Sequence, residues 1–491
     1  MNVPKCMSTQ HPDNAASPPY ASDGVVKGEG EVLEAAHVFA LGCDEQMWDS
    51  EGKDVDRMVV SKLLTNHQEL FTKQRLGRDC FLTLRVPNPS IEREMRKTLV
   101  ETLESIPSAW DVAERFYGNG DAAPIHEVIL PMTTSAEELN RLYLYYTNYI
   151  VGKEKQVLYG EYRVSDWLGE YHPRQINVIP LVEDLDHMLI ADSIVDEYLR
   201  GKELPYQRVF LARSDPALNY GNVSAELMLK IALQRMRKLE EQRGIPLYPI
   251  IGVGSAPFRG NLTPLNVERA FREYPSAHTL TVQSAFKYDY EEPDVRAAIA
   301  QIRGHERGAP VPVDEERAKR LIKKYTAGYQ DCVRQLAPIV AQVGAMVPKR
   351  RDRRLHIGLF GYSRMLDTGE SGKEAIRLPR AISFCAAMYS IGIPPEVLGL
   401  AALDKEDFAF LREVYPSLEE DLAASLRFYH EKAVARLLGP KYESLCIRYC
   451  HDIDRVHEGL TTAVQASLES LPASHTQRYL VEAAQIRRFL G

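Results

Sequence analysis

Short runs of β-branched and apolar residues recur along the chain, each separated from the next by a longer stretch with apolar residues at three- and four-residue spacing. The runs are HVFALGCDE (37–45), CFLTLRVPN (80–88), IHEVILPMT (125–133), INVIPLVED (176–184), RVFLARSD (208–215), YPIIGVGS (248–255), HTLTVQSA (278–285) and HIGLFGYS (356–363). Runs of this length and composition predict strands. The intervening SIEREMRKTLVETLESI (90–106) and SAELMLKIALQRMRKLEEQRG (224–244) predict amphipathic helices, the second stopped by Gly244. Eight strands alternating with helices predict an α/β fold, an elaborated (β/α)8 barrel of the TIM type, better than an open sheet. The long gap before the last run predicts a helical insertion at about 286–354, which holds a helix over 315–347 and the basic run KRRDRR (349–354). Beyond it the chain reads as helix after helix. The expected division is a catalytic barrel over 1–377 and a helical C-terminal lobe over 378–491 packed on it.

Composition narrows the function classes. The chain has 491 residues, 45% hydrophobic and 26% charged, ordinary for a globular protein, and a formal net charge of −8. That acidity argues against nucleic acid as a partner. No run approaches the roughly 18 apolar residues of a membrane helix, and MNVPKCMSTQ lacks the apolar core of a signal peptide. Seven cysteines without a paired framework suit a reducing compartment. A cytoplasmic protein without a membrane anchor is the expectation.

Barrel active sites collect where strands end. The predicted strand ends carry Asp44 and Glu45, Arg85, Thr133, Glu183 and Asp184, Arg213 and Asp215, Ser255 then Arg259, Gln283, and Tyr362, Ser363 and Arg364. Any one of these is polar simply because loops are; the recurrence of arginine and carboxylate around one rim is what favours a site. Glu183 and Asp215 end neighbouring strands and would share a hard divalent ion, since Mg²⁺ takes one or two carboxylates and keeps positions for water and substrate phosphate. Arg85, Arg259, Arg364 and Arg380 are placed to surround a small polyanion through their planar, two-pronged donors. A metal, arginines and a histidine together suggest chemistry on a phosphorylated carboxylic acid.

STQHPDN (8–14), FLTLRVPNP, PMTTS, PLVEDLD, RSDPALNYGN, GSAPFRGNL, QSAFKYDY and LPRAISF resemble, in this order, the short archaeal-type phosphoenolpyruvate carboxylases. The resemblance implies a Mg²⁺-dependent barrel, with Mn²⁺ as a substitute, that joins phosphoenolpyruvate and bicarbonate into oxaloacetate and phosphate, as a homotetramer. It implies that Glu183 and Asp215 are metal ligands, that Arg259 and His11 are catalytic, and that Arg380 binds phosphate, with Arg85 and Arg364 also on substrate. Where the longer relatives carry a lysine three residues after the metal-binding aspartate, this chain has Leu218, so substrate charge is balanced differently.

Blander readings accompany these. Asp184 and Asp186 read as first-turn helix charges. CIRYCHDIDRVH (446–457) reads as a core helix rather than a zinc site, and TGESGKEA (368–375) lacks the full phosphate-loop spacing. Two other functions stay open: a Mg²⁺-dependent oxo-acid lyase or aldolase on the same barrel, and a non-catalytic metabolite-binding protein.

Overall fold

The structure is a computed structural model and describes residues 3–50, 56–118, 120, 122–352, 365–366, 376–470 and 473–491. Eight parallel strands close into a barrel: β1 (Cys6–Ser8), β2 (Glu45–Asp49), β3 (Phe81–Arg85), β4 (Glu127–Leu130), β5 (Asn177–Val182), β6 (Gln207–Ala212), β7 (Leu247–Gly252) and β8 (Thr279–Val282). They follow one another around the barrel in chain order. β1 closes it by pairing with β8 (Met7 opposite Thr281) and with β2 (Met7 opposite Glu45). The predicted barrel is therefore correct.

Two strand assignments change. Residues 37–41 finish the helix Glu29–Leu41, which stops at Gly42 with a left-handed φ of 105°, and the strand begins only at Glu45. The apolar run 37–41 is the last part of a mostly buried helix, and a short apolar run cannot by itself distinguish helix from strand. The first strand is Cys6–Ser8, too short for any periodicity to show. Since the eight described strands already close, the segment 286–352 follows the last of them instead of lying between strands. The predicted strand at 356–363 lies outside the described residues.

Side chains of Met7, Met47, Ile129, Ile179, Leu181, Phe210, Ala212 and Ile250 fill the barrel interior as a packed core of their own. A larger apolar cluster joins the outer strand faces to the surrounding helices. The bottom is closed by charge: buried Arg208 donates to Glu45 at 2.7 Å and to Glu127 at 2.8 Å. Asp44, just before β2, accepts the N–H groups of Lys5 (3.1 Å) and Cys6 (2.8 Å). Asp44 and Glu45 thus belong to the N-terminal end of the barrel, opposite the rim assigned to them, because the strand starts where it was expected to finish.

After β8 come the helices Glu292–Gly304 and Glu315–Gly344, the latter capped by Asp314 through the N–H of Arg317. From Ala381 to Arg487 every described element is helical. This helical part reaches the mouth of the barrel, as the contacts below show.

Candidate active site

The loop leaving β1 is STQHPDN, and it is fastened at almost every residue. Thr9 donates its N–H to the Val282 carbonyl at 3.0 Å, and the His11 carbonyl accepts from Ser284 at 3.2 Å. Buried Lys287 donates through Nζ to Ser8 Oγ (2.9 Å) and to the Thr9 carbonyl (3.0 Å). Gln10 Oε1 accepts the N–H of Asp49 at 3.2 Å. Asp13 accepts from the Ala285 N–H at 2.7 Å and from Arg259 at 3.1 Å. Half-buried His11 lies among these anchors with Nδ1 2.8 Å from Thr9 Oγ1.

Glu183 is the first residue beyond β5, and Asp215 lies in the helix Ser214–Tyr220 that follows β6. The two strands are paired, with Val182 opposite Leu211, and both carboxylates are half-buried at the same end. Glu183 Oε2 accepts the N–H of Met132 at 2.7 Å, where Met132 turns the chain after β4 at a φ of 49°. Among the described residues no group of three or more His, Cys, Asp or Glu gathers as a metal cluster. Two carboxylates just beyond adjacent strand ends are the kind of donor set a Mg²⁺ or Mn²⁺ ion takes when it fills its other positions with water and substrate oxygens. Asp184 does cap the following helix, accepting from the His187 N–H at 3.0 Å and standing 2.7 Å from its Nδ1. Leu218 is fully buried.

The arginines part company. Arg85, at the end of β3, is paired two-pronged with Asp49, at 2.8 and 2.7 Å. Arg259 is only 1% exposed. It donates to Ser214 Oγ (3.1 Å), Asp13 (3.1 Å), the Gly491 carbonyl (2.7 Å) and Gln283 Oε1 (2.5 Å). Four of its five N–H groups are engaged by these bonds. Arg380 is half-buried immediately before the helix Ala381–Ser390. Arg213 turns inward, donating to Glu226 at 3.3 Å and to the Phe258 carbonyl at 3.0 Å, so it supports the rim without joining it. Arg364, Tyr362, Ser363 and TGESGKEA lie outside the described residues.

The loop bearing Arg259 is shaped by two glycines. A Cβ on Gly254 would stand 2.9 Å from Arg259 Cζ, so the guanidinium needs glycine there. Gly260 has a φ of 118°, and its Cβ would meet Val253 at 2.6 Å. The loop is then held from the helical part of the chain. Glu396 accepts the N–H of Phe258 at 2.5 Å, and Asp421 accepts from Asn261 at 2.8 Å. Arg269 bridges Asp421 and the Gly260 carbonyl. Leu490 donates its N–H to the Asp13 carbonyl at 2.6 Å.

Burial dominates the titration of these supports. It pushes Asp13 upward against the pull of Arg259 and the Ala285 N–H. It also pushes Glu396 up to about 7, with the hydroxyl of Tyr389 and the N–H of Phe258 opposing. Glu34 goes the other way: burial raises it, but Arg351 and Lys287 outweigh burial and bring it to about 2. Arg351, at 2.5 Å from Glu34 and 2.8 Å from Glu31, belongs to the basic run 349–354. A basic run of this kind is most often a solvated or intersubunit face, yet Arg351 is buried.

Sequence reasoning missed Asp13, Asp49, Lys287, Glu34 and Glu396 as supports of the site. Asp13 and Lys287 sit inside quoted motifs, whereas Glu34 and Glu396 lie in apolar surroundings that carry no signal. The Cys446–His457 segment holds no metal group among the described residues; His457 is buried 2.7 Å from Arg487, and burial together with that charge keeps it far below its ordinary value.

Fold and site define a barrel enzyme whose mouth sets two acidic strand ends beside a tied-down histidine loop and paired arginines. The family model described as phosphoenolpyruvate carboxylase matches residues 3–491. A phosphoenolpyruvate carboxylase of Methanothermobacter thermautotrophicus is 49% identical over the whole of both chains. One from Methanospirillum hungatei is 47% identical over the same extent, and one from Pyrococcus furiosus is 47% identical over 89% of this chain and 91% of its own. The chain belongs to the phosphoenolpyruvate carboxylase family.

Proposed function

We propose that this enzyme carboxylates phosphoenolpyruvate with bicarbonate, giving oxaloacetate and phosphate, with Mg²⁺ bound by Glu183 and Asp215. One observation carries the reading beyond family membership. Asp13 of STQHPDN and Arg259 of GSAPFRG, far apart in sequence, are joined directly at the mouth, where Glu183 and Asp215 follow the ends of β5 and β6. When bound, the ion would supply positive charge to phosphate and enolate oxygens.

The chain's own residues account for the rest. A bicarbonate oxygen attacks phosphorus, the phosphorus–enol oxygen bond breaks, and carboxyphosphate and the enolate of pyruvate result. Arg85 and Arg380 orient the phosphate and carboxylate, with charge fixed before the reaction begins. Carboxyphosphate then separates into CO₂ and phosphate, and the enolate methylene carbon attacks CO₂. His11 accepts the carboxyl proton of carboxyphosphate as CO₂ leaves and returns it to the departing phosphate, a transfer that suits an imidazole. Arg259, nearly filled by protein acceptors, acts mainly by fixing Asp13 and hence the loop of His11, leaving one Nη2 N–H for substrate among the described contacts.

The enzyme is further proposed to work in the cytoplasm as a homotetramer. In support, all seven cysteines are free and no single described helix is long and apolar enough to cross a membrane. A coupled assay for oxaloacetate, run with and without bicarbonate and Mg²⁺, tests the activity. Oxaloacetate formation should require both. Its formation without bicarbonate, or its absence with both present, overturns the proposal.

A further inference from the structure

Between the helix Ala136–Tyr145 and β5 the chain makes an excursion unlike the rest of the surface. It contains a two-stranded antiparallel hairpin, Val157–Tyr159 with Tyr162–Arg163, followed by the short helix Val164–Leu168. Every residue of both hairpin strands is exposed. Of the fourteen exposed large apolar side chains among the described residues, eight lie between Leu144 and Leu168, so they are concentrated and not scattered. Tyr159 is 71% exposed, Trp167 67% and Tyr149 62%. Aromatic stacking organises the surface, with Tyr159 against Tyr162 at 5.2 Å and Tyr145 against Tyr149 at 5.4 Å.

The excursion is built, not loose. Val164 donates its N–H to the Gln156 carbonyl at 2.9 Å, and Arg174 bridges Glu154 (2.5 Å) and Glu170 (2.7 Å) at its base. Yet an isolated two-stranded ribbon is marginal in water without a packed face, and this one has none among the described residues. Concentrated apolar surface of this size marks a contact.

We propose that this excursion is a contact between two copies of this chain, made about a twofold axis. Charge favours a second copy over other partners. Residues 153–174 carry four basic and four acidic side chains, so the patch is neutral on a chain of net charge −8. A neutral patch of interspersed charge meets a second copy of itself without net repulsion. It offers no basic field for nucleic acid or an anionic membrane. The area is adequate: the eight apolar residues expose roughly 900 Å², against about 800 Å² per partner in a standard interface. The excursion enters β5 at its N-terminal end, so the contact leaves the mouth of the barrel open. This deepens the homotetramer reading, because a tetramer of twofold symmetry needs such a self-matching face.

The test is sedimentation velocity of the full chain and of a variant carrying Tyr159→Asp and Trp167→Asp, with circular dichroism to verify folding. The parent should sediment as an oligomer and the variant at about half that mass or less. A lysine-reactive cross-linker applied to mixed light and ¹⁵N-labelled parent should join Lys153 or Lys155 of one copy to another copy. An oligomeric parent with a folded variant of unchanged mass overturns this contact and leaves the tetramer reading standing. A monomeric parent overturns both. If the variant does not fold, absence of links between copies at Lys153 and Lys155 overturns the contact.

Discussion

Replacing Glu396 with glutamine should change the pH dependence of stability more than stability at acid pH. One Glu396 oxygen accepts from the Phe258 N–H (2.5 Å) and the Tyr389 hydroxyl (2.6 Å), while the other is buried without a partner. Burial raises the carboxyl from 4.5 to about 7. A rise of that size corresponds to about 3 kcal/mol of linkage between protonation and folding. The sign follows from the raised value: the folded protein holds this proton more tightly than the unfolded chain. The contribution is full below the unfolded value of 4.5 and is lost as pH rises through about 7. Glutamine keeps the oxygen that serves both donors and cannot ionise. Glu396→Gln should therefore lie within about 1 kcal/mol of the parent at pH 5 and gain on it by up to about 3 kcal/mol by pH 8.5. Asp289 and Glu273, also pushed to about 7 by burial, titrate in both proteins and cancel in the difference. Urea unfolding of parent and variant across pH 5 to 8.5 measures it. Parallel curves over that range would show that Glu396 holds its proton no more tightly in the folded protein than in the unfolded chain, and would refute the reasoning.

Asp215→Asn should lose most Mg²⁺-dependent turnover while keeping the fold, because it would remove one of the two proposed ionic ligands; full activity at ordinary Mg²⁺ would sink the assignment. Arg259→Lys keeps the charge but cannot span Asp13, Gln283, Ser214 and the Gly491 carbonyl. A loss of about 2 kcal/mol in kcat/KM is expected, and an unchanged value would place Arg259 outside the machinery. His11→Asn should release phosphate in a bicarbonate-dependent way beyond the oxaloacetate formed, with pyruvate as the balance. Equal phosphate and oxaloacetate would reduce His11 to positioning, and loss of all phosphate release would move it to the first step.

The barrel was legible because six of its strands are apolar runs separated by helical spacing. Its closure was not, since Cys6–Ser8 is three residues long and owes its place to pairing with β8 and β2. The residues 37–41 misled for a related reason: on this mostly buried helix even exposed positions such as Leu33 and Ala40 are apolar, so the polar face that marks a helix in sequence is missing. At the site, motifs pointed to Glu183, Asp215, His11 and Arg259, but nothing in them shows what each side chain touches. Arg259 reads as a substrate ligand and is found bonded to four protein groups. Glu396 carries no motif, because it acts on the site through a hydrogen bond to a backbone N–H far away in sequence.

That bond bears on why the helical part of the chain and the barrel act together. Arg259 and Asp13 are both almost without exposure, and breaking such a pair by displacing one partner costs about 3–5 kcal/mol. The two therefore move as one unit. Asp13 also takes the Ala285 N–H and gives its carbonyl to Leu490, so the unit ties β8 to the last helical turns. Arg259 is in turn set by Phe258, whose N–H belongs to Glu396. His11 stands two residues before Asp13, with its carbonyl on Ser284 and its neighbour Thr9 on Lys287. The helices around Glu396 are thus joined to the loop of His11 through Phe258, Arg259 and Asp13 by direct bonds. Electrostatic stabilisation depends on groups fixed before the charge develops. In this chain that fixing comes from outside the barrel strands, through a short path of buried, directional bonds.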